Sequence, residues 1–401
     1  MIENRRRFLE LGLAAALAGF SGRLYPAPVG GPRLLVVFLR GGYDSTNLLI
    51  PYSSGFYYEA RPNIAIPKPD PGMVSGALAL DADWALAPAV RESLGALYAA
   101  RQVAFIPFAG TDDLSRSHFE TQDSIEMGQA PGGARNFRSG FLGRLAETLV
   151  GTAAGDSAIA FTDALPLAFE GSTTVPNLSL KNVGKPPFDE RQARILRDMY
   201  AGHRLEPAVN SGLDLRQEVA QDIADEMNSA GRNAMTTKGF ELEAQRMGLL
   251  MRDRYRVGFI DVGGWDTHVG EGASQGTLAG NLASLSAGLQ AFSQSLGAEW
   301  SNTVVVVLSE FGRTFRENGS HGTDHGHGTV YWVLGGSING GAILGAQQRV
   351  DRSTLFQDRD FPVLNDYRAV LGGLFRSMWS LRPAQSAHIF PGTNPVDLRL
   401  V

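Results

Sequence analysis

Residues 302–341 read NTVVVVLSEFGRTFRENGSHGTDHGHGTVYWVLGGSINGG. The stretch opens, after a polar turn, with the run Val304 to Leu308, four valines and a leucine. An unbroken β-branched run of this length suits a strand buried on both faces, as in a parallel sheet covered by helices. The run stops at Ser309, Glu310, Phe311 and Gly312. An acid therefore stands where a buried parallel strand ends, the edge at which open α/β sheets hold their ligands. His321, Asp324, His325 and His327 follow, which include three of the chain's seven histidines. Imidazole and carboxylate together suit Zn²⁺ and similar ions. The plain alternative is a glycine-rich surface loop with incidental histidines.

Two further stretches repeat the pattern of a buried strand followed by a turn that carries polar groups. Residues 33–40, RLLVVFLR, run into Gly41-Gly42-Tyr43-Asp44-Ser45, so Asp44 falls just past a strand end, as a metal ligand or as a cap. Residues 257–262, VGFIDV, run into Gly263-Gly264-Trp265-Asp266-Thr267-His268. Asp266 and His268 are two apart, so an extended backbone projects both to one side. That pair makes half a metal site, or else a turn aspartate with a hydrogen-bonded histidine. A helical segment, Thr277 to Leu296, joins this strand to the valine run. Strand, helix, strand implies a right-handed parallel crossover, which aligns Asp266, His268 and Glu310 along one sheet edge.

Between these stretches, 102–108 reads as a strand, and Ser115-Arg116-Ser117-His118 leads into a helix over 118–127. A serine at a helix N-terminus after a strand sits where backbone N–H groups and the helix dipole stabilise an anion. Its commoner role is an N-cap. Arg116 suits bidentate binding of an oxyanion, or a surface ion pair. Helices are expected over 87–100, 136–149 and 367–381, short strands over 162–169 and 175–180, and a surface excursion over 51–71. Residues 189–255 read as a mostly helical insertion within a single α/β domain spanning 31–401.

The chain has 401 residues, 43% hydrophobic and 19% charged, with net charge −5. That balance is globular, and without a basic run it argues against a nucleic-acid partner. Cysteine is absent, which removes thiolate ligands, thiol nucleophiles and disulfides. Residues 1–30 read as a signal peptide: Arg5, Arg6 and Arg7, then Phe8 and Leu9, an apolar segment to Phe20, and small and proline residues. The paired arginines match a twin-arginine export signal, which implies a folded cargo, the twin-arginine translocase as a transient partner, and a periplasmic or secreted destination.

Four pieces, GGYDS at Asp44, SRSHF at Ser117, GGWDTH at Asp266 and SEFGRT…GTDHGHG from Glu310 to His327, together resemble a family of exported bacterial proteins known as a domain of unknown function. That family is placed in the alkaline phosphatase-like superfamily, with sulfatases and nucleotide pyrophosphatases. The resemblance implies a three-layer fold, a mostly parallel central sheet flanked by helices, with one or two divalent ions at its carboxyl edge. Zn²⁺ is favoured, with Mn²⁺, Mg²⁺ or Ca²⁺ as other candidates. It places Asp44, Ser117 and Glu310 at one ion, and Asp266, His268 and His325 or His327 at the other. Asp324-His325-Gly326-His327 is similar to the Asp-His-x-His run of alkaline phosphatases, and Phe311 stands where sulfatases carry a ligand. The expected activity is hydrolysis of a small-molecule or glycan phosphate or sulfate ester. Ser117 is the expected nucleophile, and Arg116 or Arg313 the holder of non-bridging oxygens. The other reading is a non-catalytic metal-binding or scaffold protein on the same fold.

Overall fold

The computed structural model describes residues 31–401 apart from 131, 134, 152–156, 181–189 and 215–238. The twin-arginine segment and part of the expected helical insertion lie outside the described residues. Eight strands form the main sheet: β1 Arg33–Leu39, β2 Val103–Gly110, β3 Ala158–Ala160, β4 Val257–Val262, β5 Thr303–Ser309, β6 Thr329–Gly335, β7 Ala342–Ile343 and β8 Asn365–Asp366. Their spatial order is β7-β2-β6-β5-β1-β4-β3, with β8 paired to β2. All pairs are parallel except those of β6, which runs against both β2 and β5.

β1 lies inside the sheet, between β5 and β4. Leu39 pairs with Val262 on one side and with Ser309 on the other, so three strands stop at one level. Arg40, Gly263 and Glu310 then start three loops side by side at the carboxyl edge. The expected crossover from β4 to β5 is present through the helix Thr277–Leu296, but it passes over β1 rather than joining neighbours. β6 is the strand that the reading of the sequence did not single out. The loop 310–328 leaves β5 at the carboxyl edge and re-enters the sheet at that edge, so the returning strand must run downward.

Along β1 every side chain is buried, and successive residues serve opposite faces. Leu35, Val37 and Leu39 join one core, and Leu34, Val36 and Phe38 join the other. Six helices matter for this packing: α1 His118–Met127, α2 Phe141–Thr148, α3 Phe240–Asp253, α4 Thr277–Leu296, α5 Tyr367–Trp379 and α6 Pro383–Ile389. α3 and α4 cover the first face through Met247, Leu282, Leu289 and Phe292. α2, α5 and α6 cover the second through Leu142, Leu145, Leu371, Leu374 and Ile389. A buried leucine or phenylalanine contributes about 1.5–3 kcal/mol, so both faces must be covered for the sheet to hold. α3 is therefore a core helix that feeds β4, and only the described part 190–214 of the expected insertion lacks such a role.

Some expected elements differ. The strand in the 150–185 region is Ala158–Ala160; 162–169 ends in a short 3₁₀ turn, Leu167–Phe169, because Pro166 cannot donate to a ladder. The segment 51–71 is not a surface excursion. Tyr57, Ile64 and Ile66 within it are buried, beside a small antiparallel sheet of Leu49–Ile50, Leu78–Ala79 and Ala85–Leu86. The segment 87–100 winds as 3₁₀, π and α turns in succession, after a proline at its start. No described helix is long and apolar enough to cross a membrane.

Candidate metal centre

The loop after β4 carries Asp266 and His268, the loop after β5 carries His325, and His118 is the first residue of α1. The fold brings these four together. His118 Nε2, His268 Nε2 and His325 Nε2 lie 3.6, 3.0 and 3.4 Å from Asp266 Oδ1. The Nε2 atoms of His268 and His325 are 3.1 Å apart. Four ligands at about 2.0–2.1 Å around a tetrahedral ion stand about 3.3–3.4 Å from one another. The ligand atoms of His118, Asp266 and His325 lie within 4.8 Å of one another, and His268 Nε2 stands close to two of them, Asp266 and His325.

Each ring is turned by an oxygen behind it. His118 Nδ1 meets Glu310 Oε1 at 2.8 Å, His268 Nδ1 meets Asp324 Oδ1 at 3.3 Å, and His325 Nδ1 meets the main-chain carbonyl of Arg116 at 3.0 Å. A carboxylate or carbonyl oxygen only accepts, so each Nδ1 carries a hydrogen, and in the neutral ring Nε2 then presents its lone pair inward. This is the tautomer that metal-ligating histidines use. His118 Nε2 is buried and has no hydrogen-bond partner among the described residues. An orphaned acceptor facing a carboxylate and two more acceptors fits a cation, and this donor set suits a divalent ion.

Electrostatics agree with the geometry. The hydrogen bond that His118 donates to Glu310 raises the His118 pKa, while burial lowers that of His325. Burial alone would push Glu310 up, but hydrogen bonds from His118, Gln122 and the Gly41 N–H outweigh it and hold the carboxyl below its usual range. For Asp266 the Arg313 guanidinium outweighs burial in the same direction. The side chains of Asp266 and His268 are 47% and 39% exposed, so the cluster opens to solvent on one side.

Several expected residues have other partners. Asp44 is fully buried and chelated by both terminal nitrogens of Arg61, and it caps the turn at Thr46. Glu310 spends Oε1 on Gly41, His118 and Gln122 and Oε2 on Ser309, so it stands behind a ligand. Asp324 likewise backs His268. His327 is buried with its ring 5.0 Å from that of Phe356, apart from the cluster. The Arg313 side chain has no exposure and donates to the carbonyls of Gly41, Gly42, Trp265 and Thr323 and to Asp266. It braces the site and is not open to a substrate. The Arg116 guanidinium is bound to Asp360. Ser117 caps α1, its Oγ accepting from the Glu120 N–H at 3.5 Å. Phe311 packs between His118 and His325, ring centres 4.9 and 5.1 Å away.

Three residues had gone unread. His118 follows the serine that drew attention, and Gln122 one turn later reaches the same acid, a helical i, i+4 signal. Glu271 ties the two site loops together, accepting from the hydroxyls of Thr267 and Thr323 at 2.9 Å each. Burial, then the charge of Asp44, pushes its carboxyl up to about 9. Gly41, at φ +123°, lies against the Asp266 N–H; a Cβ there would come within 2.7 Å of that nitrogen.

Among known proteins, residues 32–388 match the model of a family described as "Protein of unknown function (DUF1501)". No curated protein matches. Solved structures with similarity include a protein in the alkaline phosphatase superfamily from Vibrio parahaemolyticus, at 11% identity and TM-score 0.35. The match covers 76% of this chain, which spans only 60% of that protein's length. A second is Ps i-CgsB in complex with k-i-k-neocarrahexaose, at 10% identity and TM-score 0.39, covering 92% of this chain and 76% of the other. These likenesses are distant.

Proposed function

Because the chain belongs to this family of unknown function, its chemistry must be argued from the site, and we propose that it is a metal-dependent hydrolase of phosphate or sulfate esters. The observation that carries the reading is the convergence of His118, Asp266 and His325, with His268 beside the latter two and each ring fixed from behind. His118, His268, His325 and Asp266 would hold one divalent ion, Zn²⁺ by donor set and spacing. When bound there, the ion supplies Lewis acidity toward an ester oxygen. Glu310, Asp324 and the Arg116 carbonyl keep the rings in the ligating tautomer, and Arg313 orients Asp266. Ser117, beside His118 at the N-terminus of α1, is the proposed nucleophile. Asp44 serves Arg61 and Glu310 serves His118, which supports a single ion over two. The amino-terminal pattern supports export through the twin-arginine pathway to the periplasm.

The test is turnover of aryl phosphates and aryl sulfates by the purified protein with Zn²⁺ or Mn²⁺. Activity should disappear with chelator and in His325→Ala, and return with metal only in the wild type. One observation favours a second reading, a non-catalytic scaffold: Arg313 Nη1 stands 3.4 Å from His268 Nε2 and Nη2 contacts Asp266, so a guanidinium already serves two of the four ligands. That reading expects no turnover of either ester class with any ion.

A further inference from the structure

His325 is supported by two arginines that meet on one buried carboxylate. Arg116 accepts the Nδ1–H of His325 on its carbonyl at 3.0 Å. Its backbone is left-handed, φ +52°, a conformation that strains a residue other than glycine. Its guanidinium donates to Asp360 Oδ2 from Nε at 3.1 Å and Nη2 at 2.7 Å. Arg359 donates to that same oxygen at 3.2 Å and, through Nη2, to the His325 carbonyl at 2.8 Å. Asp360 has no exposure, and its Oδ1 has no hydrogen-bond partner among the described residues.

The strained Arg116 conformation is what aims its carbonyl at the ring. The two charge-assisted bonds from the guanidinium to Asp360 Oδ2 offset the strain. We infer that Asp360 is a positioning residue for His325, fixing through Arg116 the ring tautomer that leaves Nε2 free to ligate. Arg359, anchored by the same carboxylate, holds the main chain of His325 from the other direction. The inference rests on the proposed metal centre for its consequence, but its first effect, on a ring tautomer, exists without metal.

The experiment uses the full chain, Asp360→Asn and Arg116→Lys, whose compact ammonium lacks the fixed pair of donors, Nε and Nη2, that meets Asp360 Oδ2. Nitrogen-15 spectra of histidine-labelled, metal-free protein report the His325 tautomer, and a Co²⁺ titration followed by visible absorption reports affinity. The wild type should show the Nδ1–H form. Both variants should show mixed tautomers and bind Co²⁺ about 10–100-fold more weakly, as loss of an outer partner does. Their double variant should be little worse than either, because both break one contact. If Asp360→Asn fails to fold, Arg116→Lys decides alone, since it leaves Asp360 paired with Arg359. An unchanged tautomer and unchanged Co²⁺ affinity in the variants overturn the inference. A wild type that binds no Co²⁺ sinks the metal reading instead, and the tautomer still decides the role of Asp360.

Discussion

The Nε2 atoms of His268 and His325 face each other at 3.1 Å, while the Nδ1 of each ring is turned to an oxygen. Two lone pairs at that distance repel unless a proton or a metal ion lies between them. The protein spends three further groups, Asp324, Asn318 and the Arg116 carbonyl, on keeping the pair in this arrangement: Asn318 donates to both Asp324 and the His268 carbonyl. Arg313 Nη1, 3.4 Å from His268 Nε2, supplies part of the charge that steadies this arrangement, and a bound divalent ion would supply the rest, which is the physical core of the metal reading.

Glu310→Gln should fold and weaken metal binding. The amide can still meet Gly41 and Ser309, but it no longer offers His118 Nδ1 a charged acceptor. Zn²⁺ affinity, measured by competition with a chromophoric chelator, is expected to fall about 10–100-fold. Unchanged affinity would mean that His118 is held by packing against Phe311 alone.

Stability should carry the signature of Glu271. Its carboxyl is raised from 4.5 to about 9, first by burial and then by Asp44. A raised folded-state pKa means that the native state binds the proton more tightly than the unfolded chain does. The stability it contributes is thus full below pH 4.5 and is lost as pH rises toward about 9. Glu271→Gln, neutral throughout, should flatten the urea-unfolding free energy across this window relative to the wild type. Parallel pH curves for the two proteins would refute the assignment.

Gly322 lies against the main chain of His268, where a Cβ would stand 2.4 Å from the carbonyl carbon. Gly322→Ala should therefore move one loop against the other, at about 1–3 kcal/mol of stability, and lower metal affinity in the same protein. A drop in thermal midpoint with metal binding intact would separate the loop contact from the site.

How much of this was readable in advance follows from what local pattern encodes. The runs 34–39, 257–260 and 304–308 announce three buried strands because burial on both faces leaves no polar position. Asp266, His268 and His325 could be placed at the edge because strand ends are visible in sequence. What failed were partnerships made across the chain. Asp44 looked free because its partner Arg61 lies in a proline-rich stretch that seemed to be surface, yet is buried. His325 and His327 looked like one unit, but Gly326 between them packs on the Arg313 backbone and the two rings go to different surroundings. His118 was overlooked beside a serine, and nothing local linked it to Glu310, nearly two hundred residues away. β6 was missed although its seven residues, Thr329–Gly335, are all buried, since the attention of the pattern lay on the polar loop before it.

Ser117 occupies two roles that substitutions can separate. As a cap it contributes little, its acceptor contact being 3.5 Å long. Ser117→Asn keeps a capping side chain and should leave the thermal midpoint nearly unchanged. Loss of ester turnover in that variant, with metal retained, assigns the hydroxyl to the chemistry; full turnover removes Ser117 from the reaction.

The most direct measurement is elemental analysis of the protein purified without chelator or histidine tag, beside a His268→Ala, His325→Ala double variant that remains folded. The account predicts one equivalent of a divalent metal per chain, Zn²⁺ foremost, and none in the variant. No stoichiometric metal in the wild type after incubation with each candidate ion, or the same content in the variant, would contradict it.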